Sequence, residues 1–264
     1  MDAKETKNLV RDQYAEIASG KSTCCGKRTA ASAYAGVGAA YAEVEGYVSE
    51  ADLGLGCGVP TELAGLAPGQ TVLDLGCGAG NDVFIARRCV GDEGRVIGLD
   101  FTPEMLAKAE ANRARLGFRN VEFRQGEIEA MPVKDGEVDV VISNCVLNLV
   151  PNKAAAFEEI FRVLRPGGHF TVSDIVLEGP LHPKMKSAAE LYVGCVAGAL
   201  QKDEYLGSVE AAGFEAVDVP QVKVVEIPDA DLRQELTASE LGAFRASGTR
   251  ILSVTVRGRK PAAH

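Results

Sequence analysis

Between Val72 and Phe84 the chain reads VLDLGCGAGNDVF: a short β-rich run, three glycines at alternate positions, then a helix-forming stretch. Without side chains, Gly76, Gly78 and Gly80 let the backbone turn sharply and bring its N–H groups close to a ligand at a helix N-terminus. A strand joined to a helix in this way is the opening unit of a parallel α/β sheet, and the following residues keep the alternation. TVLDL from Thr71, RVIGLD from Arg95, VEFRQ from Val121, VDVVIS from Val138 and HFTVSDI from His169 read as five strands. Thr102 is expected to cap a helix whose first residue is Pro103. Phe157, Ile160, Phe161 and Leu164 recur at i, i+3, i+4 and i+7 as one buried helical face, ended by Pro166-Gly167-Gly168. Helices are expected near Met185 to Leu200 and Asp203 to Ala212. Two further strands are AVDVPQVKVVEI from Ala216 and RILSVTVRGR from Arg250, the last antiparallel to the rest.

The stretch before Leu53 begins as a helix and then turns small and loose, rich in Ala and Gly. It reads as a mobile N-terminal segment. Three parts result: residues 1–62 as that segment, 63–180 as a ligand-binding core, and 181–264 as acceptor-site helices with the sheet-completing strands. A formal charge of −9 and a pI near 5.0 argue against nucleic-acid and anionic-membrane partners, which call for clustered Lys and Arg. The first residues carry both charge signs and no apolar core of a secretory signal, and no stretch is long and apolar enough to span a bilayer. A cytoplasmic protein is expected.

The glycine spacing is G-x-G-x-G. A dinucleotide fingerprint would want glycine at position 81, where Asn81 stands. Asp100 ends the second strand, where a carboxylate can accept hydrogen bonds from ribose hydroxyls. From Leu63 to Asp174 this order resembles the seven-stranded S-adenosylmethionine-dependent methyltransferase superfamily: glycine turn, acid after strand two, GEIE loop at Gly126, LRPGG turn at Leu164. The resemblance implies an α/β, Rossmann-like, doubly wound sheet and S-adenosylmethionine as cofactor. It implies that Asp74, Gly76, Gly78 and Gly80 hold the methionine end. Asp100, Phe101 and Met105 would hold the ribose and flank the adenine, Glu127 and Ile128 would meet the adenine edge, and Asn144 would face the methyl donor.

The acceptor is read from what is missing and what is abundant. Of the three histidines, His169 sits in a strand context and His264 at the terminus, so neither makes a persuasive general base. Seven cysteines, an odd number, with no export signal argue for free thiols rather than a disulfide framework. Cys57 precedes the sheet in LGLGCGVP, Cys145 follows strand four in SNCVLNLVP, and Cys195 lies in GCVAGAL. Folding can gather all three over the cofactor, and three thiolates suit a soft, thiophilic centre. Trivalent arsenic bound by three sulfurs keeps a lone pair able to attack a methyl group, so no base is required. Cys77 and Cys89 are expected to be packing residues.

From Cys24 to Phe214 the cysteine motifs, with the Cys24-Cys25 pair, resemble arsenite methyltransferases. That resemblance implies that Cys57, Cys145 and Cys195 bind trivalent arsenic, as arsenite or its thiol conjugate. It also implies that Cys24 or Cys25 delivers the metalloid or exchanges redox state with Cys57, with thioredoxin or glutathione as thiol reductant, in arsenic detoxification. A methyltransferase for a small organic acceptor and a metalloid-binding protein without turnover are the alternatives.

Overall fold

The computed structural model describes residues 3–20, 41–187, 196 and 198–263. Its sheet comprises β1 (Thr71–Leu75), β2 (Arg95–Asp100), β3 (Val121–Gln125), β4 (Val138–Asn144), β5 (Leu164–Glu178), β6 (Glu215–Val224) and β7 (Arg250–Arg259). They lie in the order β3-β2-β1-β4-β5-β7-β6. Only β7 runs against the others, pairing antiparallel with β5 and with β6. The chain order reverses between β1 and β4, where an open α/β sheet forms a crevice beyond its strand ends. This is the fold expected from the sequence.

Helices cover both faces. Besides α1 (Ala3–Ala18) and α2 (Pro60–Leu63), the crossover helices are α3 (Asn81–Val90), α4 (Pro103–Leu116) and α5 (Lys153–Val163). The C-terminal part adds α6 (Pro183–Ser187), α7 (Lys202–Ala211), α8 (Asp229–Leu232) and α9 (Ala238–Ala246). Alternation along the strands splits the apolar residues between two layers. Leu73, Leu75, Ile97 and Leu99 face a core with Phe157, Ile160 and Tyr205, and Val72, Val96, Val140 and Ile142 face one with Val83 and Phe84. A third cluster sits elsewhere, joining Val10 of α1, Leu149, Ile175 and Leu177 to Leu232, Leu241 and Phe244 of the C-terminal helices.

Three local expectations change. α5 ends at Val163, before the Pro-Gly-Gly, because Leu164 is already extended and opens β5 through an irregular register with β4. Pro166 disfavours helical backbone at the residue before it. The helix expected to Leu200 is described only over α6; residues 188–195 lie outside the described residues, and Leu200 is in no helix, its carbonyl accepting from Leu177 N–H. Thr102 does occupy the position before α4, but its hydroxyl makes no capping bond. At the N-terminus α1 is a packed helix, with Thr6, Val10 and Ile17 buried. Residues 21–40, with Cys24, Cys25 and much of the Ala/Gly-rich stretch expected to be mobile, lie outside the described residues.

Candidate active site

The glycine turn is positioned by what surrounds it. Gly76 has φ +64°, and a Cβ there would lie 2.5 and 2.6 Å from the two methyl groups of Val146. Glycine thus lets β1 pass under the loop that follows β4. Gly78 N–H donates to Asp100 Oδ2 (3.0 Å), and Thr102 N–H donates to Asp100 Oδ1 (2.8 Å). One carboxylate thereby ties the turn to the end of β2.

Two cavities meet at Tyr14, Gly76, Asp100 and Val146, each enclosing about 620 Å³ with open solvent included. That size suits a small-molecule ligand. The first is an apolar slot between Leu99, Phe101, Ile128 and Leu149, roofed by Val10 and Tyr14 of α1. Lys7 of α1 closes its rim by ion pairs to Glu127 (2.7 Å) and Glu129 (2.5 Å). The second is polar, lined by Asp74, Gly78, Asp82, Asn144 and Cys145. A Cβ on Gly78 would meet no protein atom nearer than Met105 Sδ at 4.0 Å, so the space it would take belongs to this cavity.

Charge accumulates at the polar end. Burial raises the Asp74 carboxyl well above its usual range, and the Asp82 and Asp100 charges push it the same way. Asp82 is raised by burial to about 6, against the opposing hydrogen bonds from Tyr41 and Asn144. The Tyr41 hydroxyl lies 2.9 and 2.8 Å from the two Asp82 oxygens. An acidic recess beside the glycine turn, continued by an apolar slot, fits a ligand with a cationic head and an aromatic tail.

The thiols lie alongside. Cys57 is fully buried and Cys145 is 4% exposed, and both belong to the third apolar cluster. Asn144 joins them: its Oδ1 accepts from Cys57 N–H (3.0 Å) and Gly58 N–H (3.2 Å), and its Nδ2 donates to Gly58 O (2.8 Å). Ser253 Oγ donates to Cys57 O at 2.7 Å. Cys145 has φ +61°, a left-handed conformation that costs a residue with a Cβ ~1–2 kcal/mol. Its N–H donates to Ser173 O at 2.7 Å. Cys195 lies outside the described residues, while its neighbour Val196 packs in the same cluster as Cys57 and Cys145. Among the described residues no group of three His, Cys, Asp or Glu is arranged to hold a metal ion.

A methyltransferase-domain family model matches residues 66–213. The arsenite methyltransferase of Halobacterium salinarum is 44% identical over 275 residues, covering 99% of this chain and 68% of that protein. The chain belongs to the arsenite methyltransferase family. The arsenite methyltransferase of Aquipseudomonas alcaligenes is 36% identical over 69% of this chain and 54% of its own length. The arsenic(III) S-adenosylmethionine methyltransferase from Chlamydomonas reinhardtii superposes with a TM-score of 0.67 at 34% identity, over 87% of this chain and 74% of that one. The fold is therefore that of S-adenosylmethionine-dependent methyltransferases. This chain thus spans 68% and 54% of the lengths of these two arsenite methyltransferases.

Seen as a member of the arsenite methyltransferase family, the chain brings most of the expected residues to the two cavities. Asp74, Gly76, Gly78, Asp100, Phe101, Glu127, Ile128 and Asn144 line them. Met105 is fully buried, and neither it nor Gly80 lines either cavity. Asn144 is engaged by the Cys57 loop, and Glu127 by Lys7. Cys77 is buried as expected, whereas Cys89 is exposed on α3 and packs into no core. His169 is structural, its Nε2 2.7 Å from Ala64 O. No helix among the described residues is long and apolar enough to cross a membrane. Sequence reasoning missed Tyr14, Tyr41 and Asp82. Only Asp82, two residues past Gly80 at a helix N-terminus, carried a signal, and the two tyrosines sit far away in stretches without a motif.

Asp174 gives the stability of the fold a pH dependence. It is fully buried, and burial raises its carboxyl to about 7, from about 4 in an unfolded chain. Between those values the native state holds a proton that the unfolded chain has released, so stability falls as pH rises through the window. Urea unfolding of Asp174→Asn followed from pH 4 to pH 8 is expected to lack that part of the slope; an unchanged slope would place the proton elsewhere.

Proposed function

We propose that this chain transfers a methyl group from S-adenosylmethionine to trivalent arsenic held by Cys57, Cys145 and Cys195. The observation that carries the reading is the joining of two buried cysteines, distant in sequence, by one side chain, Asn144, which with Cys145 lines the acidic cavity. The bound cofactor supplies an electrophilic methyl on a sulfonium. Asp74, Asp82 and the glycine turn at Gly76 and Gly78 would hold its methionine end. Asp100 would accept from the ribose hydroxyls, and Phe101, Ile128 and the Glu127 loop would enclose the adenine.

On the acceptor side the thiols bind and orient. Each S–H replaced by S–As passes its proton to the oxygen or thiol ligand that leaves, as water or free thiol. The arsenic lone pair is the nucleophile, so the protein's task is placement and exclusion of water. Well-oriented intramolecular reactions gain about 7–11 kcal/mol from placement. Cys24 or Cys25 would capture the metalloid first. Attack by the lone pair takes arsenic from the trivalent to the pentavalent level; two cysteine thiolates would return the two electrons by forming a disulfide, which thioredoxin or glutathione, as thiol reductant, would reduce in the cytoplasm.

Incubation of the protein with S-adenosylmethionine, arsenite and a thiol, followed by chromatographic separation of arsenic species, tests the reading. Methylated arsenicals with matching S-adenosylhomocysteine are expected. Arsenic binding without S-adenosylhomocysteine would indicate a metalloid-binding protein, and no arsenic binding would indicate an organic acceptor.

A further inference from the structure

Cys145 has an unfavourable backbone conformation just before a turn, and that turn is gripped from three sides. The Asn148 side chain is fully buried and donates through Nδ2 to Ile175 O at 2.6 Å. On the N–H side, the Asn148 backbone N–H faces the Asp174 carboxylate. That carboxylate also accepts from Ile175 N–H (3.0 Å) and from the Tyr205 hydroxyl of α7 (3.4 Å). On the carbonyl side, Lys153 Nζ donates to Asn148 O (3.3 Å) and Val150 O (3.1 Å), and its charge offsets that of Asp174. Between these groups runs the helical turn Leu147–Leu149, which begins two residues after Cys145.

A buried carboxylate is costly, and well-packed apolar residues commonly give equal stability. Asp174 and Lys153 line neither cavity. What such a pair, charged above about pH 7, adds from opposite sides of one turn is a fixed position for that turn. We propose that Asp174 is a positioning residue for Cys145, clamping the Leu147–Leu149 turn with Asn148 and Lys153 so that the thiol keeps its place beside the cofactor cleft. The consequence for arsenic rests on the reading of Cys145 as a metalloid ligand; the clamp itself does not.

The experiment uses Asp174→Leu, which removes the acceptors at similar size, Lys153→Met, which removes the opposite charge, and Asp174→Asn, which keeps one carbonyl oxygen. Iodoacetamide labelling of Cys145, read by peptide mass spectrometry, and amide exchange over Leu147–Leu149 report the clamp without any arsenic. Both are expected to accelerate in Asp174→Leu and Lys153→Met, with Asp174→Asn nearer to wild type. In the same two variants the KM for arsenite is expected to rise about tenfold to a hundredfold, as when a substrate-binding group is displaced, with kcat and S-adenosylmethionine affinity changing much less. If Asp174→Leu fails to fold, Lys153→Met carries the same readouts. Unchanged labelling and exchange in the folded variants overturn the clamp. An unchanged arsenite KM in a variant whose Cys145 has become mobile overturns its role in positioning. Faster labelling in a protein whose wild type does not methylate arsenite upholds the clamp and refutes the functional reading separately.

Discussion

Cys145→Ser is expected to lower kcat/KM for arsenite on the order of a thousandfold, ~4 kcal/mol of lost transition-state stabilisation, and to leave S-adenosylmethionine binding almost untouched. Serine is close to cysteine in size and would keep the backbone bond that Cys145 N–H donates to Ser173 O. The left-handed turn and the cavity wall should therefore survive. What changes is the donor: a hard oxygen in place of a soft sulfur toward a thiophilic centre. Cys57→Ser should behave alike, because Asn144 and Ser253 grip Cys57 through its backbone N–H and C=O rather than through sulfur. Calorimetric titration with S-adenosylmethionine and chromatographic arsenic speciation separate the two effects. Near-wild-type methylation by either variant would remove these thiols from the acceptor site. Loss of cofactor affinity along with activity would instead show a damaged cleft.

The fold was legible because its signals are local. Strands β1 to β4 begin at the residues where the β-rich runs begin, and Asp100 stands at the end of β2 as expected. Boundaries set by competition were less so: Leu164 continues the helical period of Phe157 and Ile160, yet pairing with Val138 draws it into β5. At the site, Gly76, Gly78 and Asp100 could be read from spacing, since their work is backbone work near one turn. Asn144 was expected to face the methyl donor, and it lines the polar cavity, but its amide is engaged by Cys57 and Gly58. No pattern announces that, because the partners are brought together only by the crossing of β4 under the loop before α2. Tyr14, Tyr41 and Lys7 were illegible for the same reason. Each reaches the cleft from an N-terminal stretch whose own sequence shows no period or motif that points at it.

Gly76→Ala is expected to cost the protein both stability and its cofactor, and the two causes can be separated. At φ +64° a Cβ brings a left-handed strain of ~1–2 kcal/mol. The same Cβ would also lie 2.5 Å from a Val146 methyl group, well inside contact distance, and overpacking of this kind adds ~1–3 kcal/mol. Together they predict a loss of ~2–5 kcal/mol in urea unfolding, a large part of the stability of an ordinary domain. Because Gly76 and Val146 line both cavities, any relief of the clash moves a wall of the cleft, so S-adenosylmethionine affinity should fall as well. Val146→Ala in the same chain removes the methyl groups but leaves the backbone strain. The double variant is therefore expected to recover the steric share alone, with a coupling of ~1–3 kcal/mol in a double-mutant cycle. Additive effects would mean that the turn and the loop after β4 do not touch, and with that the close crossing at the centre of the site would be wrong.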